Sequence, residues 1–363
     1  MTNYATTALV LPKIHVHSGK VAWRSPSNLA LVKYWGKYGR QLPKNPSISF
    51  TLNNAFTETS VEYTPNLSGK KGINLEFYFE EKQNEAFRLK QVKFLESIQD
   101  IFPFLSQLNF TIRSHNSFPH SAGIASSASS MSALALCLCS IEKKLFGTLQ
   151  NEAEFLKKAS FVSRLGSGSA CRSMYPVMAV WGEGIEGSSN LYAVPHAAQT
   201  HEVFHTFHDD ILIISKSEKS VSSRAGHALM EGNAYADIRY AQAHARLHML
   251  IHALREGDLK TFGEITENEA LTLHALMMTS EPSYLLMEAN SLAAINKVRD
   301  FRAETNVPLY FSLDAGPNLH LLYPDAHKID VQNFIENELK PLCEDGKYIP
   351  DMVGQGAELM ING

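Results

Sequence analysis

Cysteine is scarce in this sequence: 363 residues contain four, at positions 137, 139, 171 and 343. None is spaced as CxxC, so neither a metal knuckle nor a disulfide framework is indicated. A reducing compartment, and with it the cytoplasm, is the expectation. Long apolar runs are missing too; none approaches the ~20 residues that span a bilayer. The opening MTNYATTALVLPKIHVHSGK has neither the basic start nor the apolar stretch of a signal peptide. There is no excess of positive charge: 33 Lys and Arg stand against 37 Asp and Glu, a formal charge of −4. That argues against bulk binding to nucleic acid or anionic membranes, though not against a local basic pocket for a small anion. No repeat of fixed period and no low-complexity segment is visible. What is present, 44% apolar and 19% charged residues, suits a globular chain with a large core, and its length suggests two domains.

Along the chain, residues 1–20 read as a leader with one short strand at ALVLPKIHV. SPSNLALVKYW reads as two short β segments around a polar turn, 47–64 as a strand with alternation in its second half, and INLEFYF as another. The pattern predicts helices over 84–102, with Asn84 as N-cap, over 127–146, with Gly147 as C-terminal cap, and over 152–163. RLGSGSACRS is a loop of small residues, PVMAVWG a strand, and 192–210 irregular and His-rich, its role undetermined. DILIISK opens the second half as a strand followed by a polar loop. Helices are expected near 233–256, 258–278 and 284–304, then strand–turn–strand through VPLYFSLDAGPNLHLLYP and a last helix over 327–343. Strands and helices do not alternate regularly, so two mixed domains of α+β class are expected, divided near 208/209, rather than a doubly wound sheet.

From 121 to 130, nine of ten residues are Ser, Ala or Gly, and a helical pattern follows at once. Such a loop lets backbone N–H groups approach a ligand, and the helix adds unpaired N–H groups and the positive end of its dipole. Together they form an anion site, with phosphate the usual occupant. Ser126, Ser127 and Ser129 can add hydroxyls or hold a metal ion. No GxxxxGK[ST] is present, so this is not a Walker A loop. The alternative is a plain Ser/Ala/Gly linker. GSGSACRS ends in Arg172, whose fork matches a carboxylate or phosphate; an ordinary turn with a surface Arg is the other reading. Asp314 leaves the apolar strand YFSL, where an acid read alone is more often a cap or turn former. Lys33 and Lys37 flank Tyr34 and Trp35, as exposed lysines on a strand also would.

SPSNLALVKYWGK, FPHSAGIASSAS, RLGSGSACRS and LDAGPN, in this order and spacing, resemble the signature segments of the diphosphomevalonate decarboxylase family of the GHMP kinase superfamily. The likeness extends over nearly the whole chain after about residue 21. It implies an N-terminal kinase-type α/β sandwich domain over 21–208 and a C-terminal ferredoxin-like domain over 209–363. It also implies ATP and Mg²⁺, with no dedicated metal site and the ion held with ATP through Ser126 or Ser127. The implied reaction phosphorylates the tertiary hydroxyl of mevalonate 5-diphosphate, then expels phosphate and CO₂ to leave isopentenyl diphosphate. Carried over motif by motif, Asp314 is the catalytic acid/base, Lys33 the lysine beside it, and Arg172 the arginine on the substrate carboxylate. Ser167 and Ser169 match the GSGS serines. Tyr34, Lys37, Ser223 and Arg224 match the diphosphate contacts. Ser121, Ala122, Gly123, Ala125, Ser126 and Ser127 would cradle the ATP phosphates. A homodimer in the cytoplasm is implied, with no nucleic-acid or membrane partner. The sequence departs from the pattern at Lys37–Tyr38–Gly39–Arg40, which lacks an acid, at NPS (45–47) for NSS, at His120 and Ser121 for Thr and Ala, and in the leader.

These residue types suit the chemistry. Phosphoryl transfer needs positioning and charge neutralisation more than covalent help. A tertiary alcohol is a poor nucleophile, so a carboxylate near its proton is useful, and Lys33 beside it would keep it ionised and oriented. Arg172 would aim the carboxylate for loss as CO₂. Three other readings compete. A related kinase could phosphorylate mevalonate or its monophosphate at the 3-hydroxyl, with or without decarboxylation. A non-catalytic ATP binder would have no reason to keep Asp314, Lys33 and Arg172 together. A metal-dependent hydrolase is prompted by the 15 His, with His244, His248 and His252 at i, i+4, i+8 and His196, His201, His205 and His208 close in sequence. No HExxH is present, and zinc usually needs a fuller ligand set.

Overall fold

Alternating side chains build the first half into long strands. The computed structural model describes residues 4–12, 18–69, 71–119, 124–217 and 220–362. β1 (Gly19–Val32) is a single strand where the sequence predicts two short ones and a turn. SPSN stays extended and absorbs its misfit as register shifts against the neighbouring strand, between Pro26 and Asn28 and between Ala30 and Val32. The small hairpin of β2 (Lys37–Tyr38) and β3 (Leu42–Pro43) follows. β4 (Ser47–Pro65) buries every second residue from Ala55 to Tyr63, as its alternation predicts. β5 (Asn74–Phe79) and β6 (Lys82–Gln83) lead to α1 (Glu85–Ser97). Asn84 caps α1 by accepting from the Phe87 N–H, but the helix stops at Ser97, short of 102, because Ile98 leaves helical geometry. β7 (Leu108–Asn116) runs antiparallel to β4 and parallel to β5.

α2 (Ser126–Phe146) lies on this sheet, buried on nearly every side, and ends at Gly147 with φ 68°. Its small residues let it settle closely. Ser132 pairs with Ser25 of β1 at 2.7 Å, Ser129 with Thr57 of β4 at 2.6 Å, and Ser140 accepts from the Trp23 indole at 2.9 Å. These contacts satisfy hydroxyls that would otherwise be buried unpaired. α3 (Glu152–Gly166) runs beyond 163. β8 (Met178–Trp181) extends the sheet from the start of β4, and β9 (Val194–Pro195) pairs with β8. In the leader, residues 8–12 form no strand; Leu9 and Leu11 are buried, and Leu11 exchanges two hydrogen bonds with the Gln107 amide. The rest of that expected strand falls outside the described residues.

The second half opens with β10 (His208–Leu212). The loop after it contains an unforeseen helix, α4 (Ser223–Ala228). α5 (Ala236–Glu256), α6 (Leu259–Met278) and α7 (Ala289–Thr305) match the expected helices. β11 (Tyr310–Ser312) and β12 (Leu319–Tyr323) flank the DAGPN turn. The expected last helix breaks: α8 (Lys328–Phe334) passes into a π turn and then a 3₁₀ turn around Pro341, which cannot continue the helical ladder. β13 (Tyr348–Ile349) completes an antiparallel sheet ordered β11-β12-β10-β13. The final strand, β14 (Glu358–Asn362), returns to the first half and pairs antiparallel with β1. The architecture is α+β, as the missing strand–helix alternation implies.

The halves share a core. Phe50 of β4 stands 6.4, 5.9 and 5.9 Å from the ring centres of Phe204, Phe207 and Phe262, and Leu29, Leu31, Leu247 and Leu250 pack into the same buried cluster. Among the described residues no helix is long and apolar enough to cross a membrane.

Candidate active site

Lys33 is the first residue after β1, and Asp314 lies in the turn between β11 and β12. Although 281 positions apart in sequence, they form an ion pair, Lys33 Nζ to Asp314 Oδ1, at 2.9 Å. The lysine side chain is 2% exposed and the aspartate 24%, so the lysine is buried and the acid partly open to solvent. Around it stand residues that the motifs do not single out. Glu269 of α6 accepts from the Lys33 N–H at 2.8 Å, and His274 of α6 bonds the Asp314 carbonyl at 3.1 Å. Asn45 and Arg239 each donate to the Lys33 carbonyl at 3.0 Å. A sequence signal exists for Glu269: it falls at helical spacing among the buried positions Phe262, Ile265, Thr266 and Leu273, where an acid demands a partner.

Arg172 ends a 3₁₀ turn, Gly168–Arg172, that replaces part of the expected small-residue loop. Its guanidinium is buried and donates from Nε to Ser49 at 3.0 Å, from Nη1 to Ser47 at 2.6 Å and from Nη2 to Asn28 at 3.2 Å. All three acceptors are neutral, and among the described residues Arg172 forms no ion pair. A buried cation held this way leaves part of its fork for an anionic ligand. Burial pulls its pKa below the ordinary value, opposed by Cys171 and by the charge of Asp314, which places the acid within electrostatic reach. Ser47 and Ser49 alternate on the strand that SISF predicts, and Asn28 lies in SPSN; an arginine needing acceptors is the signal that would have joined them.

The two small-residue segments meet. Ser127 Oγ, at the start of α2, lies 3.2 Å from Ser167 Oγ, at the end of α3. Ala125, with φ 46°, precedes α2 without a side-chain cap; the Ala128 and Ser129 N–H groups bond its carbonyl, and those of Ser126 and Ser127 have no partner among the described residues. Ser126 is half-buried and Ser127 exposed. Ser129, read from sequence as a further ligand hydroxyl, instead faces the sheet and is spent on Thr57. Ser121, Ala122 and Gly123, with His120, lie outside the described residues. Ser169 is half-buried beside Arg172, its carbonyl accepting from Asn28. Between the two serines, Gly168 admits Tyr34 and Trp181: a Cβ there would stand 2.8 Å from the Tyr34 hydroxyl and 2.9 Å from the Trp181 ring. Gly168→Ala is expected to destabilise the fold by about 1–3 kcal/mol, the usual cost of overpacking. Urea unfolding measures it, and an unchanged midpoint would mean that these rings move aside freely.

The remaining candidates line one flank. The Tyr34 ring packs 4.6 Å from Trp181 and 4.3 Å from His227, and burial raises its phenol pKa. Its hydroxyl has no hydrogen-bond partner among the described residues. The Lys37 ammonium donates to Gln41 at 2.8 Å and is pulled below its ordinary pKa by burial and by the charge of Arg224. Ser223 and Arg224 open α4, and His227 of that helix accepts from the Gly36 N–H at 2.9 Å. Burial, then Lys37, holds His227 at a pKa of about 3, so it docks α4 onto this segment as a neutral ring. The histidines behind the hydrolase reading are dispersed: His208 bonds Asp325, His205 bonds the Thr200 carbonyl, and His244, His248 and His252 lie exposed along α5. No group of three His, Cys, Asp or Glu able to hold a metal ion occurs among the described residues.

Comparisons with known proteins agree over most of the chain. Residues 25–193 match the diphosphomevalonate decarboxylase-like N-terminal domain, and 210–355 the mevalonate 5-diphosphate decarboxylase C-terminal domain. The chain is similar to the diphosphomevalonate decarboxylase of Debaryomyces hansenii, with 30% identity over 346 residues, 91% of this chain and 83% of that one. To the Saccharomyces cerevisiae protein described in the same words, identity is 31% over 314 residues, covering 82% and 76%. Among solved structures, mevalonate diphosphate decarboxylase from Staphylococcus aureus aligns with a TM-score of 0.80 at 26% identity, over 95% of this chain and 99% of that one. MDDEF in complex with MVAPP, AMPPCP and magnesium aligns at 0.78 and 27%, with the same coverage.

Proposed function

This chain belongs to the diphosphomevalonate decarboxylase family, and from that premise we propose how its own residues carry out the ATP- and Mg²⁺-dependent decarboxylation of mevalonate 5-diphosphate to isopentenyl diphosphate. The observation that carries the reading is the Lys33–Asp314 pair, partly open to solvent, within electrostatic reach of a buried arginine that lacks an anionic partner among the described residues. Asp314 takes the proton from the tertiary hydroxyl as the alcohol oxygen bonds to the terminal phosphorus of ATP and ADP departs. Lys33 holds the carboxylate in place and balances its charge. Arg172 turns its free N–H groups to the substrate carboxylate. Asp314 returns the proton it took to the departing phosphate, and its carboxylate, ionised again, stabilises the positive charge that develops on the tertiary carbon. The electrons of the carbon–carboxylate bond then form the double bond, and CO₂ leaves.

The first turn of α2 and the Ser126 and Ser127 hydroxyls, beside Ser167, form a polar cradle that fits the phosphates of Mg-ATP; bound Mg²⁺ supplies neutralisation of phosphate charge. Ser121, Ala122, Gly123 and Ala125 complete the cradle in this reading. Ser169 approaches the reacting end of the substrate, and Tyr34, Lys37, Ser223 and Arg224 receive the diphosphate. We place the domain division near 208/209, with β14 crossing back, and the enzyme in the cytoplasm as a homodimer. Four free, buried cysteines support a reducing compartment.

Incubation with Mg-ATP and mevalonate, its monophosphate or its diphosphate tests the substrate. The diphosphate is expected to yield ADP, phosphate and CO₂ in equal amounts, with isopentenyl diphosphate as organic product. ADP without CO₂ would make the protein a kinase of the same fold, and turnover of only the monophosphate would overturn the assigned substrate.

A further inference from the structure

The acid and the lysine come from different halves of the molecule: Lys33 follows a strand of the first sheet, and Asp314 leaves a strand of the second. An ion pair alone does not fix their geometry, because a lysine side chain is long and flexible. The main chain of both residues is nevertheless held; the Gly316 N–H also bonds the Asp314 carbonyl at 2.8 Å, and Asn45 and Arg239 bond the Lys33 carbonyl, but among the described residues α6 is the one helix that reaches both. Glu269 accepts from the Lys33 N–H at 2.8 Å, and His274, five residues on, bonds the Asp314 carbonyl at 3.1 Å. A carbonyl only accepts, so His274 donates from Nε2. Burial holds its imidazole at about 4, so the ring is neutral and brings no second cation beside Lys33.

Glu269 is itself immobilised. Oε2 accepts from Arg239 Nη2 at 2.6 Å as well as from Lys33, while Oε1 accepts from Arg239 Nη1 at 2.6 Å and from Arg246 at 2.8 Å. Burial alone would push its carboxyl up, but Arg239 and Arg246 hold it below its ordinary value, so it stays charged. Arg239 also donates to the Lys33 carbonyl, so the lysine main chain is gripped from both sides. A network this costly to bury is satisfied at every acceptor and converges on one catalytic residue.

We propose that α6 is the positioning element of the reaction: Glu269, braced by Arg239 and Arg246, sets the backbone of Lys33, and His274 sets the backbone of Asp314, so that one rigid helix fixes the relative place of an acid and a lysine from separate halves. The proposal rests on the assignment of Asp314 and Lys33 above. Neither Glu269 nor His274 contacts substrate in it.

His274→Phe keeps the ring and removes the donor; His274→Leu serves if the Phe variant does not fold; His274→Gln restores an N–H. With Mg-ATP and mevalonate 5-diphosphate, His274→Phe is expected to lower kcat about 10- to 100-fold, the usual result of misplacing a reacting group by about an ångström. Both KM values should stay within about twofold, and His274→Gln should recover part of the loss. The decisive arm is the Asp314→Asn background, in which adding His274→Phe should change residual turnover by less than about twofold, because a residue acting only through Asp314 has nothing left to position. The proposal is overturned if His274→Phe turns over like wild type, if the two substitutions multiply independently, or if KM rises and thermal stability falls in step with the loss of kcat. Failure of the wild-type protein to release CO₂ would instead overturn the assigned reaction, which separates the two ideas.

Discussion

Asp314→Asn is expected to bind Mg-ATP with near-normal affinity and to form isopentenyl diphosphate at least about 10²–10⁴-fold more slowly, the range that general-base assistance supplies. Asparagine keeps the shape of the side chain and a hydrogen bond to Lys33, yet cannot take a proton from a tertiary alcohol. The nucleotide cradle proposed at α2 is built from other segments, which is why ATP affinity should survive. Asp314→Ala should be as inactive and also less stable, because it leaves the Lys33 ammonium, 2% exposed, without its counter-ion. Pre-steady-state ADP formation together with CO₂ release measures both steps. An Asn variant that turns over near the wild-type rate would reduce Asp314 to a turn former and end the mechanism.

Arg172→Lys should be nearly as damaging, despite keeping the charge. The guanidinium spends Nε, Nη1 and Nη2 on Ser49, Ser47 and Asn28, and only a planar fork can do this while still facing a carboxylate. A lysine ammonium would satisfy one or two of these acceptors and leave the others buried and unpaired. We expect kcat/KM for mevalonate 5-diphosphate to fall by about 10²-fold, with KM for ATP changed by less than about threefold, since the lost contact orients one substrate only. Equal losses for both substrates would show that Arg172 supports the fold rather than the carboxylate.

Much of this was legible before any coordinates. The α+β class followed from the missing strand–helix alternation, the α1 cap from Asn84, and the end of α2 from Gly147. The distant partners Lys33 and Asp314 were brought together only by their motifs. Read locally, each had an ordinary explanation, because a pair separated by 281 residues leaves no periodic trace. Three misreadings have clear causes. SPSN carries turn residues, but pairing with β4 kept that part of β1 extended. The 327–343 helix broke where Pro341 withdraws an N–H. Ser129 was counted with its neighbours, yet helical geometry turned it to the sheet. Glu269 left a trace, an acid among buried helical positions, but its link to Lys33, like that of His274 to Asp314, runs to a backbone group of a remote residue, which a side-chain pattern does not record.

The phenylalanine cluster shared by Phe50, Phe204, Phe207 and Phe262 limits how the molecule can move. Lobes joined only by a wet, polar seam can swing on a hinge around their ligand; here part of the seam is an interlocked aromatic core, and opening it would expose that surface to water. Breathing of the whole body is thus a poor route for nucleotides to enter or leave. The proposed walls that aim the reacting groups are thereby braced against such a motion.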